Sequence, residues 1–225
     1  MSQTKTGNSG TQQTENTAKS SENTAKSSDV SYVLSLTFRL CVTCVIVAGL
    51  LGLVNMVTEP RITAAQWEKT VEAMKEVVPG EDGITFEDAM ELSEELSTAA
   101  SAGGAKLKAV YPVMLNGDSA GYAITVVASG SQGTIEMMVG TDAEDTVTGI
   151  SIIANSETSG IGSRVMKNEA TAGGEGVLDQ FLGWNVSDGT LTVGSNVDAI
   201  SGATVSTRGV TTGVNTALAV AAVLD

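Results

Sequence analysis

The sequence contains no histidine and has few basic residues, and both shortages narrow the classes of function open to it. Without histidine there is no Ser–His–Asp triad, no histidine-ligated zinc and no histidine-ligated haem. The 12 basic residues stand against 26 acidic ones, which gives a net charge of −14. Nucleic-acid binding relies on clustered lysine and arginine at the phosphates, so this charge argues against a nucleic-acid partner.

Cysteine and aromatic residues are also scarce. Cys41 and Cys44 are the only cysteines and lie three apart in an apolar run, where they cannot cross-link a soluble domain. We interpret them as small apolar residues, with a site shared with a partner protein left open. Aromatic residues make up 4% of the chain and there are 25 glycines. That composition favours a sheet with many tight turns over a large aromatic core.

The first 58 residues predict a disordered tail followed by a membrane anchor. Residues 1–29 are almost entirely polar and include a direct repeat, so they bury too little apolar surface to fold. Residues 30–58 form an apolar stretch long enough to cross a bilayer as a helix, which takes about 20 residues. No small-residue cleavage site follows it, which favours an uncleaved anchor over a signal peptide.

The charges around the anchor predict its orientation. Lys19 and Lys26 precede the anchor and Arg39 lies near its N-terminal end, whereas Glu59 and Arg61 follow it. Lysine and arginine are enriched on the cytoplasmic side of membrane helices. We therefore expect a cytoplasmic N-terminus and an extracytoplasmic domain over residues 59–225.

Residues 59–225 predict one α+β domain, a twisted antiparallel sheet flanked by helices. Four strands are expected, at residues 106–115, 122–128, 134–139 and 146–154, with Asn116-Gly117-Asp118 as a hairpin turn. We expect Pro60 to end the membrane segment. The other expected elements are an amphipathic helix over 64–78, an acidic helix over 86–96, a surface loop over 97–104 and a closing helix over Val205–Leu224.

The segment Asp198–Thr207 carries the clearest functional signal. It is a small-residue loop that leads into the closing helix, with hydroxyl groups on Ser201, Thr204, Ser206 and Thr207. The free N–H groups and dipole at a helix N-terminus favour an anion such as phosphate, and Gly202 lets backbone approach a ligand closely. These features alone predict a phosphate site, or only a helix N-cap.

The run Asp198-x-x-Ser201-Gly202-Ala203-Thr204 resembles the flavinylation motif of a family of FMN-binding domains. The family includes the G subunit of the Rnf electron-transport complex and the C subunit of the sodium-pumping NADH:quinone oxidoreductase. The resemblance implies FMN joined to Thr204 by a phosphoester bond, made from FAD by a flavin transferase that recognises Asp198. The implied neighbours of the FMN are Ser201, Gly202, Ala203, Val205, Ser206 and Thr207.

A second loop, over residues 155–162, resembles the Glu-Thr-Pro-Gly-Leu-Gly segment that lies against the flavin ring in these domains. Here Ser159 stands in place of proline and Ile161 in place of leucine. The resemblance implies that Glu157, Thr158, Gly160 and Gly162 border the ring. Taken by itself, the segment favours an ordinary glycine loop that caps a helix beginning at Ser163.

The resemblance implies an electron-carrier component of a membrane-bound, ion-translocating ferredoxin:NAD⁺ oxidoreductase of the Rnf type. Its expected cofactor is covalent FMN, and its expected partners are the membrane, the other membrane subunits and a flavin transferase. We expect neither catalytic acid–base residues nor a metal site. Two alternatives remain open: a stand-alone flavinylated protein for extracellular electron transfer, and a non-redox anchored surface domain whose loop is only a helix cap. The corresponding protein of the sodium pump is less favoured because its outer domain is typically longer.

Overall fold

The computed structural model of the protein describes residues 11–78 and 83–224. The chain forms two compact units, Met1–Ala64 and Ala65–Asp225. The first unit contains a helix from Tyr32 onward that is long and apolar enough to cross a membrane. Its large apolar side chains between Tyr32 and Val57 are exposed, as expected of a surface that faces lipid.

The first helix, α1, spans Thr11–Val77 and is longer than the sequence predicts. Its backbone stays helical through Pro60, so the prediction that Pro60 ends the membrane segment is wrong. Proline removes one N–H from a helix, and membrane helices accommodate such a residue by local adjustment. The helix predicted over 64–78 is therefore the C-terminal part of α1.

Residues 1–10 of the predicted tail lie outside the described residues. Over residues 11–29 the backbone is helical as the first part of α1, so the prediction of disorder is wrong there. The alanine, lysine, glutamine and glutamate residues of this stretch are good helix formers. The boundaries of the tail and the membrane segment stay predictions.

Within the part of the chain that the structure describes, five antiparallel strands form one sheet in chain order. The strands are β1 (Ile84–Phe86), β2 (Lys106–Leu115), β3 (Asp118–Ser129), β4 (Thr134–Asp142) and β5 (Val147–Asn155). The predicted α+β fold with a twisted antiparallel sheet is confirmed, and β1 is an added strand. At the hairpin between β2 and β3, Asn116 (φ 54°) and Gly117 (φ 98°) both have positive φ, as a two-residue type I′ turn requires.

The second helix, α2, spans Glu94–Gly103, so the predictions of a helix over 86–96 and a loop over 97–104 are wrong. Ser93 sets the start of the helix, because its Oγ accepts the Leu96 N–H at 3.2 Å. Gly104 sets the end with a left-handed backbone at φ 93°. The acidic residues before Ser93 precede the N-cap and therefore lie outside the helix.

The sheet is covered on both faces. One face packs against α2 and the closing helix α4 (Thr204–Leu224), whose predicted position is confirmed to within one residue. The other face packs against the last turns of α1, through Ala73, Met74 and Val77. On α4, Gly209 comes so close to the sheet that a Cβ there would lie 2.6 Å from the Ser129 carbonyl oxygen.

The end of α1 contacts the sheet at a pair of glycines. Gly140 on β4 and Gly149 on β5 are register partners, and both face the backbone of Val77. The Thr148 hydroxyl donates to the Val77 carbonyl at 2.7 Å, and the Ser151 hydroxyl donates to the Glu76 carboxyl at 2.6 Å. The bare glycine backbones thus let the helix end lie directly on the strands.

Candidate functional site

The segment Asp198–Thr207 is a surface loop anchored by two buried side chains. Ile200 and Ala203 are 2% exposed, whereas Ser201 and Gly202 between them are exposed. The Ala203 N–H donates to the Ile200 carbonyl at 2.9 Å and closes a tight turn, in which Gly202 has φ 83°. A left-handed residue in this turn is easily supplied by glycine. The buried pair therefore presents Ser201 and Gly202 to solvent.

Helix α4 begins at Thr204, directly after this turn. The first N–H groups of a helix have no acceptor within the helix, so those of the first turn point toward the exposed loop. Thr204 is half-buried, and its hydroxyl makes no hydrogen bond among the residues that the structure describes. An unengaged hydroxyl and free amides lie together here, and such groups suit a phosphate.

Thr207 has a different role from the other hydroxyl residues. Its side chain is fully buried, and its Oγ1 donates to the Ala203 carbonyl at 3.1 Å. The Thr207 N–H donates to the same carbonyl at 2.9 Å. Thr207 thus stabilises the first turn of α4 and does not present a group to a ligand in this arrangement.

The loop over 155–162 meets α4 through Glu157. One oxygen of its carboxyl group, Oε2, accepts the Ser206 hydroxyl at 2.7 Å. The other, Oε1, accepts the backbone N–H of Ser131 at 2.7 Å and that of Gln132 at 3.4 Å. A single side chain therefore ties the turn between β3 and β4 and the N-terminus of α4 to one loop. The two segments that carry the resemblance lie side by side.

The remaining predicted residues of this loop occupy two environments. Gly162, the first residue of the short helix α3 (Gly162–Met166), is buried against Glu157 and Ser206. Thr158 and Gly160 are exposed, and the Gly160 N–H donates to Ser163 Oγ at 2.9 Å. The structure thus places Gly162 at the junction of the loops and leaves the other two at the open surface.

Asp198, at the start of the loop, is held by a residue that the sequence did not predict. Gln180 contacts its backbone with both ends of the side-chain amide: Oε1 accepts the Asp198 N–H at 2.7 Å, and Nε2 donates to the Asp198 carbonyl at 3.1 Å. The carboxyl group of Asp198 is left exposed. Nothing in the sequence pattern marks Gln180 or the turn at Ser131, because each meets its partner only through the tertiary fold.

The structure holds a cleft of about 410 Å³ in another place. It lies along the outer edge of β5, between the end of α1 and the segment after α3, and none of the predicted site residues lines it. In the candidate site, Thr158, Gly160, Ser201 and Gly202 are exposed instead, around the buried Gly162 and Ser206.

The surface at α4 fits FMN in its donor groups and its apolar area. The first-turn amides and the Thr204 hydroxyl suit the phosphate. Ile161 and Val205 are 54% and 51% exposed, and each directly precedes a residue of the Gly162–Ser206 contact. Two exposed aliphatic side chains so placed suit a flat aromatic ring.

The part of the chain that holds both loops matches a known family. Residues 130–219 match the family described as the FMN-binding domain, and this range contains the Glu157 loop as well as the Thr204 loop. The chain therefore carries an FMN-binding domain.

Longer similarities extend beyond that domain. The chain is 30% identical over 201 residues to the G subunit of the Na(+)-translocating ferredoxin:NAD(+) oxidoreductase complex of Acetobacterium woodii, covering 85% of this chain and 93% of that protein. It is 29% identical over 175 residues to the G subunit of the ion-translocating oxidoreductase complex of Methanosarcina acetivorans, covering 77% and 86%. For the G subunit of Pseudomonas aeruginosa the identity is 30% over 178 residues, covering 76% and 79%. The chain belongs to the family of G subunits of ion-translocating oxidoreductase complexes.

The junction of the two loops gives a first testable prediction. In Gly162→Ala, the new Cβ would lie 2.9 Å from both Glu157 Cβ and Ser206 Oγ. These distances are shorter than the van der Waals contacts of a packed methyl group. We expect a loss of about 2 kcal/mol in the free energy of unfolding from overpacking, together with a lower flavin content. Denaturant unfolding and flavin fluorescence of the purified chain measure the two effects.

Ser206→Ala is the companion variant, since it removes the hydrogen bond to Glu157 without adding bulk. We expect it to cost about 1 kcal/mol, less than Gly162→Ala. If Gly162→Ala unfolds at the same denaturant concentration as the wild type, the two loops are not in contact.

Proposed function

We propose that this chain carries electrons within an ion-translocating ferredoxin:NAD⁺ oxidoreductase complex through FMN linked covalently to Thr204. The observation that carries the proposal is the placement of the Thr204 hydroxyl. It lies at the first residue of α4, half-buried and unbonded within the described residues, two positions before the Ser206 contact that joins the loops. The relative from Acetobacterium woodii is named as a subunit of such a complex, which supports the proposal that this chain is also a subunit of one.

In the attachment reaction, the Thr204 oxygen attacks the FMN-side phosphorus of FAD. The bond from that phosphorus to the AMP half breaks, AMP leaves, and the hydroxyl proton is released. No oxidation or reduction accompanies this transfer. A flavin transferase catalyses it, and the exposed carboxyl group of Asp198 belongs to the surface that this enzyme recognises.

The chain's own groups hold the phosphate and the ring. First-turn N–H groups of α4 donate to the phosphate, and the helix dipole adds about 0.3–1 kcal/mol for a negative group at this end. FMN bound there supplies transfer of one or two electrons, and the protein controls its position and exposure. Three groups of residues share this work. Ser201, Gly202, Ala203 and the Val205 N–H lie on the phosphate side, and Thr158, Gly160 and the side chains of Ile161 and Val205 border the ring. Glu157, Gly162 and Ser206 hold the two sides together.

The proposed topology places the FMN-binding domain outside the cytoplasm. Residues 1–29 form a cytoplasmic tail, residues 30–58 cross the membrane, and residues 59–225 form the outer domain. The basic residues before the apolar stretch support this direction. A covalent bond would retain the cofactor on a side of the membrane where lost FMN is not replaced from the cytoplasm. The other membrane subunits of the complex are the electron-transfer partners.

The first test is the intact mass of the full-length chain after co-expression with a flavin transferase. We expect a gain of one FMN moiety, and peptide mapping should place it on the peptide that contains Thr204. A control flavoprotein substrate shows that the transferase is active in the same cells. An unmodified chain beside a modified control would mean that the loop is only a helix cap.

A further inference from the structure

Gln180 binds the backbone of Asp198 in the way that a neighbouring strand would. Its side-chain amide satisfies both the N–H and the carbonyl of Asp198, at 2.7 Å and 3.1 Å, from 18 positions away in the chain. The same Nε2 also donates to the Val177 carbonyl at 3.3 Å. This second bond fixes the orientation of the amide, so its oxygen faces the Asp198 N–H.

Gln180 itself stands on a rigid support. It lies in the single helical turn Asp179–Phe181, where the Phe181 side chain is fully buried in the core. Asn168 braces the turn from the other side: its Oδ1 accepts the Leu178 N–H at 2.7 Å, and its Nδ2 donates to the Asp179 carboxyl at 2.8 Å. A side chain on such a support can hold a loop in place.

Asp198 needs this support because its own side chain provides none. The carboxyl group is exposed and makes no hydrogen bond within residues 11–78 and 83–224. Further along the loop, Ile200 and Ala203 are fixed by burial. Before the loop, Val197 is buried and its N–H and carbonyl are hydrogen-bonded to Thr192 and Gly194. The Gln180 amide adds to this anchor, because it bonds both the N–H and the carbonyl of Asp198 and so restrains the backbone on either side of the Cα that carries the carboxyl group.

We propose that Gln180 is a positioning residue for the attachment of FMN to Thr204. By fixing the Asp198 backbone, Gln180 holds the carboxyl group at a constant place relative to the Thr204 hydroxyl, so that an enzyme can engage both at once. The inference rests on the proposed function. It concerns the rate at which the chain is modified and not the fold.

Gln180→Ala tests this role. Losing the constraint should let Asp198 move away from its position, and displacement of a recognition group by about 1 Å can cost up to about 100-fold in rate. We expect the initial rate of flavin attachment to fall about tenfold or more. The assay uses the full-length chain in detergent with purified flavin transferase and FAD, read as covalent fluorescence in denaturing gels and as intact mass.

Asn215→Ala is the matched control. Asn215 makes the same pair of backbone bonds elsewhere, since its Oδ1 accepts the Leu191 N–H at 3.0 Å and its Nδ2 donates to the Leu191 carbonyl at 2.9 Å. Both variants lose one amide and its pair of hydrogen bonds to one backbone residue, and Gln180→Ala also loses the longer bond to the Val177 carbonyl. The thermal unfolding of the two variants should therefore differ by no more than about one hydrogen bond. Only Gln180→Ala should be modified slowly, and Asn215→Ala should stay within about twofold of the wild-type rate.

A readout at Asp198 separates positioning from general loosening. In Gln180→Ala, the amide of Asp198 should exchange its hydrogen faster, whereas the first turn of α4 should keep its protection. Gln180→Glu retains the acceptor for the Asp198 N–H but puts an oxygen opposite the Asp198 carbonyl. We expect its modification rate to lie between those of the wild type and Gln180→Ala. If Gln180→Ala does not fold, the modification rate of Gln180→Glu tests the positioning role in its place.

The outcomes keep the two proposals apart. If the wild type is modified on Thr204 and Gln180→Ala is modified at the same rate, the positioning role is wrong and the proposed function stands. Equal slowing of Gln180→Ala and Asn215→Ala also overturns it, because the effect would then be a general one. If the wild type itself stays unmodified beside an active control, the proposed function fails and the positioning role fails with it.

Discussion

Thr204→Val is expected to remove covalent flavin completely while the domain stays folded. Valine matches threonine in shape but lacks the oxygen that the proposed phosphoester bond requires. The Thr204 hydroxyl has no hydrogen-bond partner among the described residues, so its loss leaves no buried group unpaired. We expect the free energy of unfolding to change by less than about 0.5 kcal/mol. Flavin fluorescence in denaturing gels and intact mass measure the covalent product.

Two variants control this result. Thr204→Ser keeps a hydroxyl at the same position and should retain covalent flavin. Thr212→Val makes the same chemical change at another half-buried residue of α4 and should leave flavin content unchanged. Full covalent flavin on Thr204→Val would falsify the assignment of the attachment site and direct the search to the hydroxyls of Ser201 and Ser206.

Gly149→Ala is expected to destabilise the domain strongly by overpacking the contact between the sheet and the end of α1. A Cβ at this position would lie 2.6 Å from Val77 Cα and 2.7 Å from the Val77 oxygen. Both are backbone atoms, which cannot rotate away as a side chain can. Overpacking usually costs about 1–3 kcal/mol, and we expect the upper end of that range here. For a domain of this size that corresponds to a fall of about 6–12 °C in the melting temperature.

Gly173→Ala is the matched control for this prediction. A Cβ at Gly173 would lie 3.6 Å from the nearest atoms, Asp198 Oδ2 and Thr171 Oγ1, which is ordinary van der Waals contact. Its melting temperature should stay within about two degrees of the wild type. The measurement is thermal unfolding followed by circular dichroism of the detergent-solubilised chain. An unchanged melting temperature for Gly149→Ala would show that the end of α1 does not lie on the sheet.

The sheet is predictable from the sequence because its signals are local. Alternating apolar residues mark β2 to β5, and Asn116-Gly117 marks one turn by its backbone preference. The position of α2 is hard to predict because the signal that sets it, the cap at Ser93, is a single residue among many serines and acidic residues. The continuation of α1 through Pro60 is equally hard to predict because proline usually ends a helix.

The candidate site is predictable only in part. The resemblance locates both loops, and the structure brings them together through Glu157 and Ser206. Their support by Gln180 and by the turn at Ser131 is not predictable, because those hydrogen bonds join residues with no periodic relation in sequence. Thr207 is predicted to contact the FMN, but its hydroxyl is buried and donates to the Ala203 carbonyl. Sequence spacing alone does not tell an exposed hydroxyl from a capping one.

The bond between Glu157 and Ser206 joins residues 49 positions apart. Such a distant pair meets only after the sheet and α4 have assembled, because closing a long loop precedes any contact across it. On the proposed function, the order of maturation follows from this: the outer domain crosses the membrane and folds first, and only then is Thr204 presented for modification. A chain that misfolds would stay colourless, so flavin content would report the folded fraction of the protein.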